Sequence, residues 1–190
     1  PGGAVGPGGP PPAPAPPVEG ARPADQTAVP TRYRMRERLL AIGDDFVIET
    51  ETGQPAFRVD GKALRVRDTI QIRDASGIPL YRVQERVARL RQTMVIERDG
   101  QRVAAIHKAL VTPLRDRFDV QVDGGPPLSV QGNVFDHEYA ITREGRRVAT
   151  VSKRYFRLRD TYGVEVAPGE DDAFVLAVVA AIDELREPER

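Results

Sequence analysis

Residues from about 31 to 190 are predicted to fold as a mainly β domain, a twelve-stranded antiparallel closed barrel of repeated hairpins around a buried C-terminal α-helix. Three observations predict it. A unit of about 24 residues recurs six times with apolar residues at alternate positions. A glycine follows the start of every unit at a nearly constant distance. An unbroken apolar run then stands where the last unit should return as a strand.

The units open at Ile42-Gly43-Asp44-Asp45-Phe46, Val66-Arg67-Asp68-Thr69-Ile70, Leu90-Arg91-Gln92-Thr93-Met94, Leu114-Arg115-Asp116-Arg117-Phe118, Phe135-Asp136-His137-Glu138-Tyr139 and Leu158-Arg159-Asp160-Thr161-Tyr162. The apolar pattern continues two residues later at Ile48, Ile72, Ile96, Val120, Ile141 and Val164. Side chains two apart share one face of a strand, so the first, fifth and seventh positions predict half-buried outgoing strands. The glycines are Gly53, Gly77, Gly100, Gly124, Gly145 and Gly169. Pairs such as Asp99-Gly100 and Asp123-Gly124 suit hairpin turns that need a positive φ. Five units return as strands, with 56–59, 80–83, 103–106 and 148–151 as examples. Arg32 to Leu39 reads as one further returning strand, bringing the total to twelve.

After Pro168-Gly169 the pattern changes. Glu170-Asp171-Asp172 precede ten apolar residues, Ala173 to Ile182, and predict a helix over about 171–186. Acidic residues at the start suit the helix dipole. A helix apolar on every side needs burial on every side. Ten residues rise only about 15 Å, too little to span a bilayer, but enough to fill a twelve-stranded barrel.

Residues 1–30 contain ten prolines and six glycines and are predicted to be a disordered, partly polyproline-like tail, because such a stretch buries too little surface to offset its ordering entropy. A plain linker is one reading; a Pro-rich segment for a protein partner is another. No segment of about 18 apolar residues predicts a transmembrane helix. The opening Pro-Gly-Gly has neither the basic nor the apolar region of a signal peptide, and a segment upstream of it stays open; the expected location is cytoplasmic, with peripheral attachment to a membrane as an option. The 25 arginines against three lysines fit a GC-rich bacterial genome.

The Leu-Arg-Asp-Thr repeats, Met35-Arg36-Glu37-Arg38 and the stretch Val164 to Asp172 resemble the LURP-one-related family over essentially all of residues 31–190. The resemblance implies a tubby C-terminal-like fold, a twelve-stranded barrel around a central helix, shared with phospholipid scramblases. Better-understood relatives imply phosphoinositide or membrane-surface binding.

Chemistry is sparse. The chain has no cysteine, which removes disulfides and thiolate nucleophiles. No nucleophile–base pairing or phosphate-cradling loop stands out, so no enzyme, catalytic residue, metal ligand or cofactor is expected. The recurring third position, Asp44, Asp68, Gln92, Asp116, His137 and Asp160, reads as a set of strand-start hydrogen-bond acceptors rather than a catalytic centre. His137, inside Asp136-His137-Glu138, reads most simply as completing a hydrogen-bond network, with a metal or base role as the alternative. His107 is placed in a connecting segment.

Acidic and basic residues balance at 28 each, so net charge points to neither nucleic acid nor an anionic surface. Their placement is uneven. The connections entering the units are net positive in sum, although 131–139 is net negative, and the glycine-turn end is net negative in sum. All three lysines fall at the basic end. Lys62, Arg65, Lys108, Lys153, Arg154 and Arg157 are therefore the candidate anion-binding residues, for a phosphoinositide or another anionic headgroup. The expected function is a non-enzymatic binding module. The alternative is a protein-interaction scaffold tethered by its Pro-rich tail. Nucleic acid is disfavoured because most tyrosines occupy core-phase positions.

Overall fold

The computed structural model describes residues 29–36, 46–60, 69–88, 91–108, 116–156 and 161–186. Twelve strands among them close into one antiparallel barrel. They are β1 Thr31–Arg36, β2 Phe46–Thr50, β3 Pro55–Asp60, β4 Thr69–Asp74, β5 Pro79–Ala88, β6 Arg91–Arg98, β7 Gln101–Lys108, β8 Asp116–Val122, β9 Leu128–Asn133, β10 Glu138–Arg143, β11 Arg146–Ser152 and β12 Thr161–Val166. A 3-10 turn, Lys153–Tyr155, follows β11, and one helix, α1, runs from Asp172 to Arg186. Each strand pairs with its sequence neighbours. β1 closes the ring against β12, with Tyr33 opposite Val164 and Met35 opposite Tyr162.

The period-2 pattern becomes the inner wall. Ile48, Ile72, Ile96, Val120, Ile141 and Val164 are all fully buried. Around α1 every residue from Ala173 to Ile182 is buried, as a helix apolar on all sides requires. α1 lies against β4, β5, β6, β7 and β12. Asp171 caps it: its Oδ1 accepts from the Phe174 N–H at 2.9 Å, and its carbonyl accepts from Val175.

The structure adds a device to the repeat. Pairing slips by one residue after Ile48, Ile72, Ile96 and Ile141, each the seventh position of its unit. The extra residue on the returning strand is Ala56, Leu80, Val103 or Val148. Bulges of this kind raise local twist and bend a sheet towards closure. Four at equivalent places distribute that curvature around the ring.

Two strand boundaries differ from the sequence reading. The first strand is described only as Thr31–Arg36, because residues 37–45 lie outside the described residues. The fifth unit does not begin as a strand at Phe135. Residues 134–137 form a turn, and His137 takes φ +53°. That left-handed residue breaks the alternation, so Val134 is buried in place of Phe135, which is 53% exposed.

Candidate functional site

The barrel has two chemically different ends. At the glycine-turn end, three consecutive carboxylates at the start of α1 are bound by different strands. Glu170 meets Arg143 at 2.7 Å and Arg146 at 3.5 Å. Asp171 accepts from Tyr81 Oη at 2.7 Å, and Asp172 from Tyr33 Oη at 2.5 Å. Burial, and then the hydrogen bond to Asp171, push the Tyr81 hydroxyl up to about 12. Burial and Asp172 raise Tyr33 in the same direction. Arg98 donates to Tyr81 Oη at 3.3 Å. Three carboxylates at this end thus anchor the helix start.

The opposite end is where the units begin and where α1 finishes. Here Ser152 closes β11 and caps the 3-10 turn, its Oγ accepting from the Arg154 N–H at 3.1 Å. The same hydroxyl lies 2.9 and 3.0 Å from the two Glu138 oxygens. Lys153 and Arg154 project outward from this turn, and the Arg154 side chain is 88% exposed. Its Nε is 3.8 Å from Glu138 Oε1, a loose surface pair. Behind them, Tyr155 and Phe156 settle onto Gly163 of β12. A Cβ at Gly163 would lie 2.6 Å from the Tyr155 Cβ and 3.0 Å from the Phe156 ring. The Arg32 guanidinium stacks 4.9 Å from the Tyr155 ring centre.

Beneath this surface lies a buried polar cluster. Tyr162 Oη donates to Asp183 Oδ2 at 2.5 Å. His137 stacks on the Tyr162 ring at 4.1 Å, with its Nε2 3.3 Å from Asp183 Oδ1. Its Nδ1 lies 3.2 Å from Arg186 NH1, which also donates to the Phe135 carbonyl at 2.8 Å. Arginine can only donate, so Nδ1 is the acceptor in that contact, while Nε2 and Asp183 Oδ1 lie close without a hydrogen bond between them. Burial, then the Asp183 charge, hold the hydroxyls of Tyr139 and Tyr162 well above the ordinary tyrosine range. The cluster ties β10, β12 and the last turn of α1 together.

Of the six predicted anion-binding residues, Lys153 and Arg154, adjacent in sequence, are the two whose side chains are described, both exposed on the 3-10 turn. Lys62, Arg65 and Arg157 lie outside the described residues, as do Asp44, Asp68 and Asp160. Lys108 ends β7 opposite Phe118, and its side chain, like those of Gln92 and Asp116, is not described. His107 is not in a connection: it lies within β7, with Nδ1 3.1 Å from Thr93 Oγ1. Three supporting residues escaped the sequence reading, Ser152, Glu138 and Gly163. Gly163 did carry a signal. It occupies the outward sixth position of its unit, and glycine inside a strand marks close approach.

No helix among the described residues is long and apolar enough to cross a membrane. None of the curated proteins compared with this chain matches it. An X-ray structure of an Arabidopsis thaliana protein shares the fold: the TM-score is 0.63 at 18% identity, over 84% of this chain and 93% of that one. The model of the LURP-one-related family matches residues 31–183, and with the closed barrel and its central helix this places the chain in the LURP-one-related family.

Proposed function

We propose that the barrel is a non-enzymatic binding module for anionic lipid headgroups, phosphoinositides included, with Lys153 and Arg154 at the centre of its contact surface. One observation carries the reading. Two adjacent, exposed cations stand on a turn that is braced from behind by Ser152 and by Tyr155 on Gly163. By sequence the connections at the other end are net acidic, which gives a polarity along the barrel axis. Lys62, Arg65, Lys108 and Arg157 belong to the same set of connections by sequence and extend the proposed surface.

The test is co-sedimentation with phosphatidylcholine vesicles, with and without phosphatidylserine or a phosphoinositide, at low salt. Each basic residue near an anionic surface is worth about 1 kcal/mol, so the double variant Lys153→Gln, Arg154→Gln should bind about 30-fold more weakly. Equal affinity for neutral and anionic vesicles, or no binding at low salt, overturns the reading.

A further inference from the structure

We infer that Phe135 is a membrane-inserting residue, an aromatic wedge that enters the acyl–headgroup boundary while Lys153 and Arg154 hold the headgroups. The inference rests on the anionic-lipid reading above and adds how the surface is gripped.

Val29, Val47, Ile78 and Phe135 are the large apolar side chains exposed among the described residues, and Phe135 alone is aromatic. Exposure of a single apolar residue is ordinary by itself. The setting is not. Phe135 occupies the β9–β10 turn, and β10 also pairs with β11, whose end carries Lys153 and Arg154. The aromatic ring and the two cations therefore stand on neighbouring connections at one end of the barrel.

The turn is also fixed from several sides. Asn133 Nδ2 donates to Asp136 Oδ2 at 2.6 Å, and the Asp136 N–H donates to Asn133 Oδ1 at 3.1 Å. The His137 N–H donates to the Val134 carbonyl at 3.1 Å. Arg186 holds the Phe135 carbonyl from the end of α1. Val134 and His137, on either side, are fully buried. The turn presents the ring outward on a rigid base, so little ordering entropy is lost on insertion.

Of the nearby carboxylates, Glu138 is paired with a cation, while Asp136 is held by a neutral amide and keeps its charge. Asp136 accepts from Asn133, and Glu138 lies against Ser152 with Arg154 beside it. Aromatic residues with cations around them are the usual composition of interfacial membrane contacts.

The chain has no tryptophan, so Phe135→Trp introduces the sole indole as a reporter. The probe is vesicles of phosphatidylcholine and phosphatidylserine, with and without brominated acyl chains. Expected are a blue shift on binding and quenching by the brominated lipid. Ile78→Trp, in the β4–β5 turn at the opposite end, should show neither. Phe135→Ala should weaken vesicle binding about tenfold with Tm unchanged, since the ring is outside the core. Vesicle binding with an unshifted, unquenched Phe135→Trp overturns this inference and leaves the headgroup reading standing. Absence of binding to anionic vesicles overturns both. A blue shift that tracks protein concentration without vesicles assigns Phe135 to contact between copies of the chain and overturns the inference.

Discussion

Tyr162 donates its hydroxyl to Asp183 Oδ2 across 2.5 Å, and both side chains are sealed from solvent. The bond joins the start of β12 to the last turn of α1, so it is a tie between wall and plug rather than within either. Tyr139 lies in the same cluster, yet its buried hydroxyl has no protein hydrogen-bond partner.

These two tyrosines should respond oppositely to the same substitution. Tyr162→Phe removes a hydrogen bond to a charged acceptor and should cost about 1.5–3 kcal/mol. Tyr139→Phe deletes an unpaired polar group and should be within about 0.5 kcal/mol of the parent or more stable. Asp183→Ala should cost about 1–3 kcal/mol, because it leaves the Tyr162 hydroxyl buried without its acceptor. Urea unfolding measures all three; equal losses for the two tyrosines would show that the cluster is not organised by Asp183.

Gly163 should tolerate no side chain while the 3-10 turn keeps its place. Gly163→Val should destabilise by about 1–3 kcal/mol by overpacking against Tyr155 and Phe156. If Tyr155 shifts instead, the thermal loss will be small and vesicle binding through Lys153 and Arg154 will fall. Loss of neither stability nor binding would remove Gly163 from the architecture of the site. Gly132→Ala should be the more severe change: its φ is +144°, and a Cβ would lie 2.5 Å from the backbone oxygen of Glu138.

Alkaline pH should loosen the barrel. Tyr33, Tyr81, Tyr139 and Tyr162 all have hydroxyls raised above the ordinary value of 10, Tyr81 to about 12. Below pH 10 both folded and unfolded chains keep these protons, so stability is at its plateau. Above it the unfolded chain releases protons that the fold retains, and stability declines through pH 12. Circular dichroism against pH should show the decline, and Tyr81→Phe should reduce its slope. A midpoint of unfolding below pH 9 would point to other groups.

Vesicle binding should weaken with salt. The Debye length contracts from about 10 Å at 0.1 M to about 3 Å at 1 M, screening exposed cations such as Arg154. A titration with sodium chloride should reduce affinity steadily for anionic vesicles. A residual, salt-insensitive component should disappear in Phe135→Ala. Salt-independent binding by the parent would mean that the cations do not carry the contact.

Much of the wall was legible because each inward position repeats. Ile48, Ile72, Ile96 and Ile141 announce a strand face by spacing alone, and the structure buries them all. The run Ala173–Ile182 announces a buried helix in the same way. The fifth unit was misread because period 2 holds only while the backbone stays extended. His137 at φ +53° reverses the chain locally and exchanges Phe135 for Val134. The bulges after the seventh position were invisible, since Ala56, Leu80, Val103 and Val148 read as ordinary strand residues.

Local chemistry therefore determined the elements: alternation made strands, glycine made turns, and a stretch with no polar face made a helix that had to be enclosed. Those are properties of neighbours within a few residues, and the sequence states them directly. The tertiary structure alone decided the pairings across the ring. Tyr33 and Tyr81 reach Asp172 and Asp171 over separations of 139 and 90 residues, and Arg186 reaches the Phe135 carbonyl over 51. Such contacts depend on strand register and on where closure puts each end of the helix, and a shift of one residue would turn every side chain to the other face. The pairing of β10 with both β9 and β11 sets Phe135 and the Lys153–Arg154 turn on neighbouring connections at one end of the barrel.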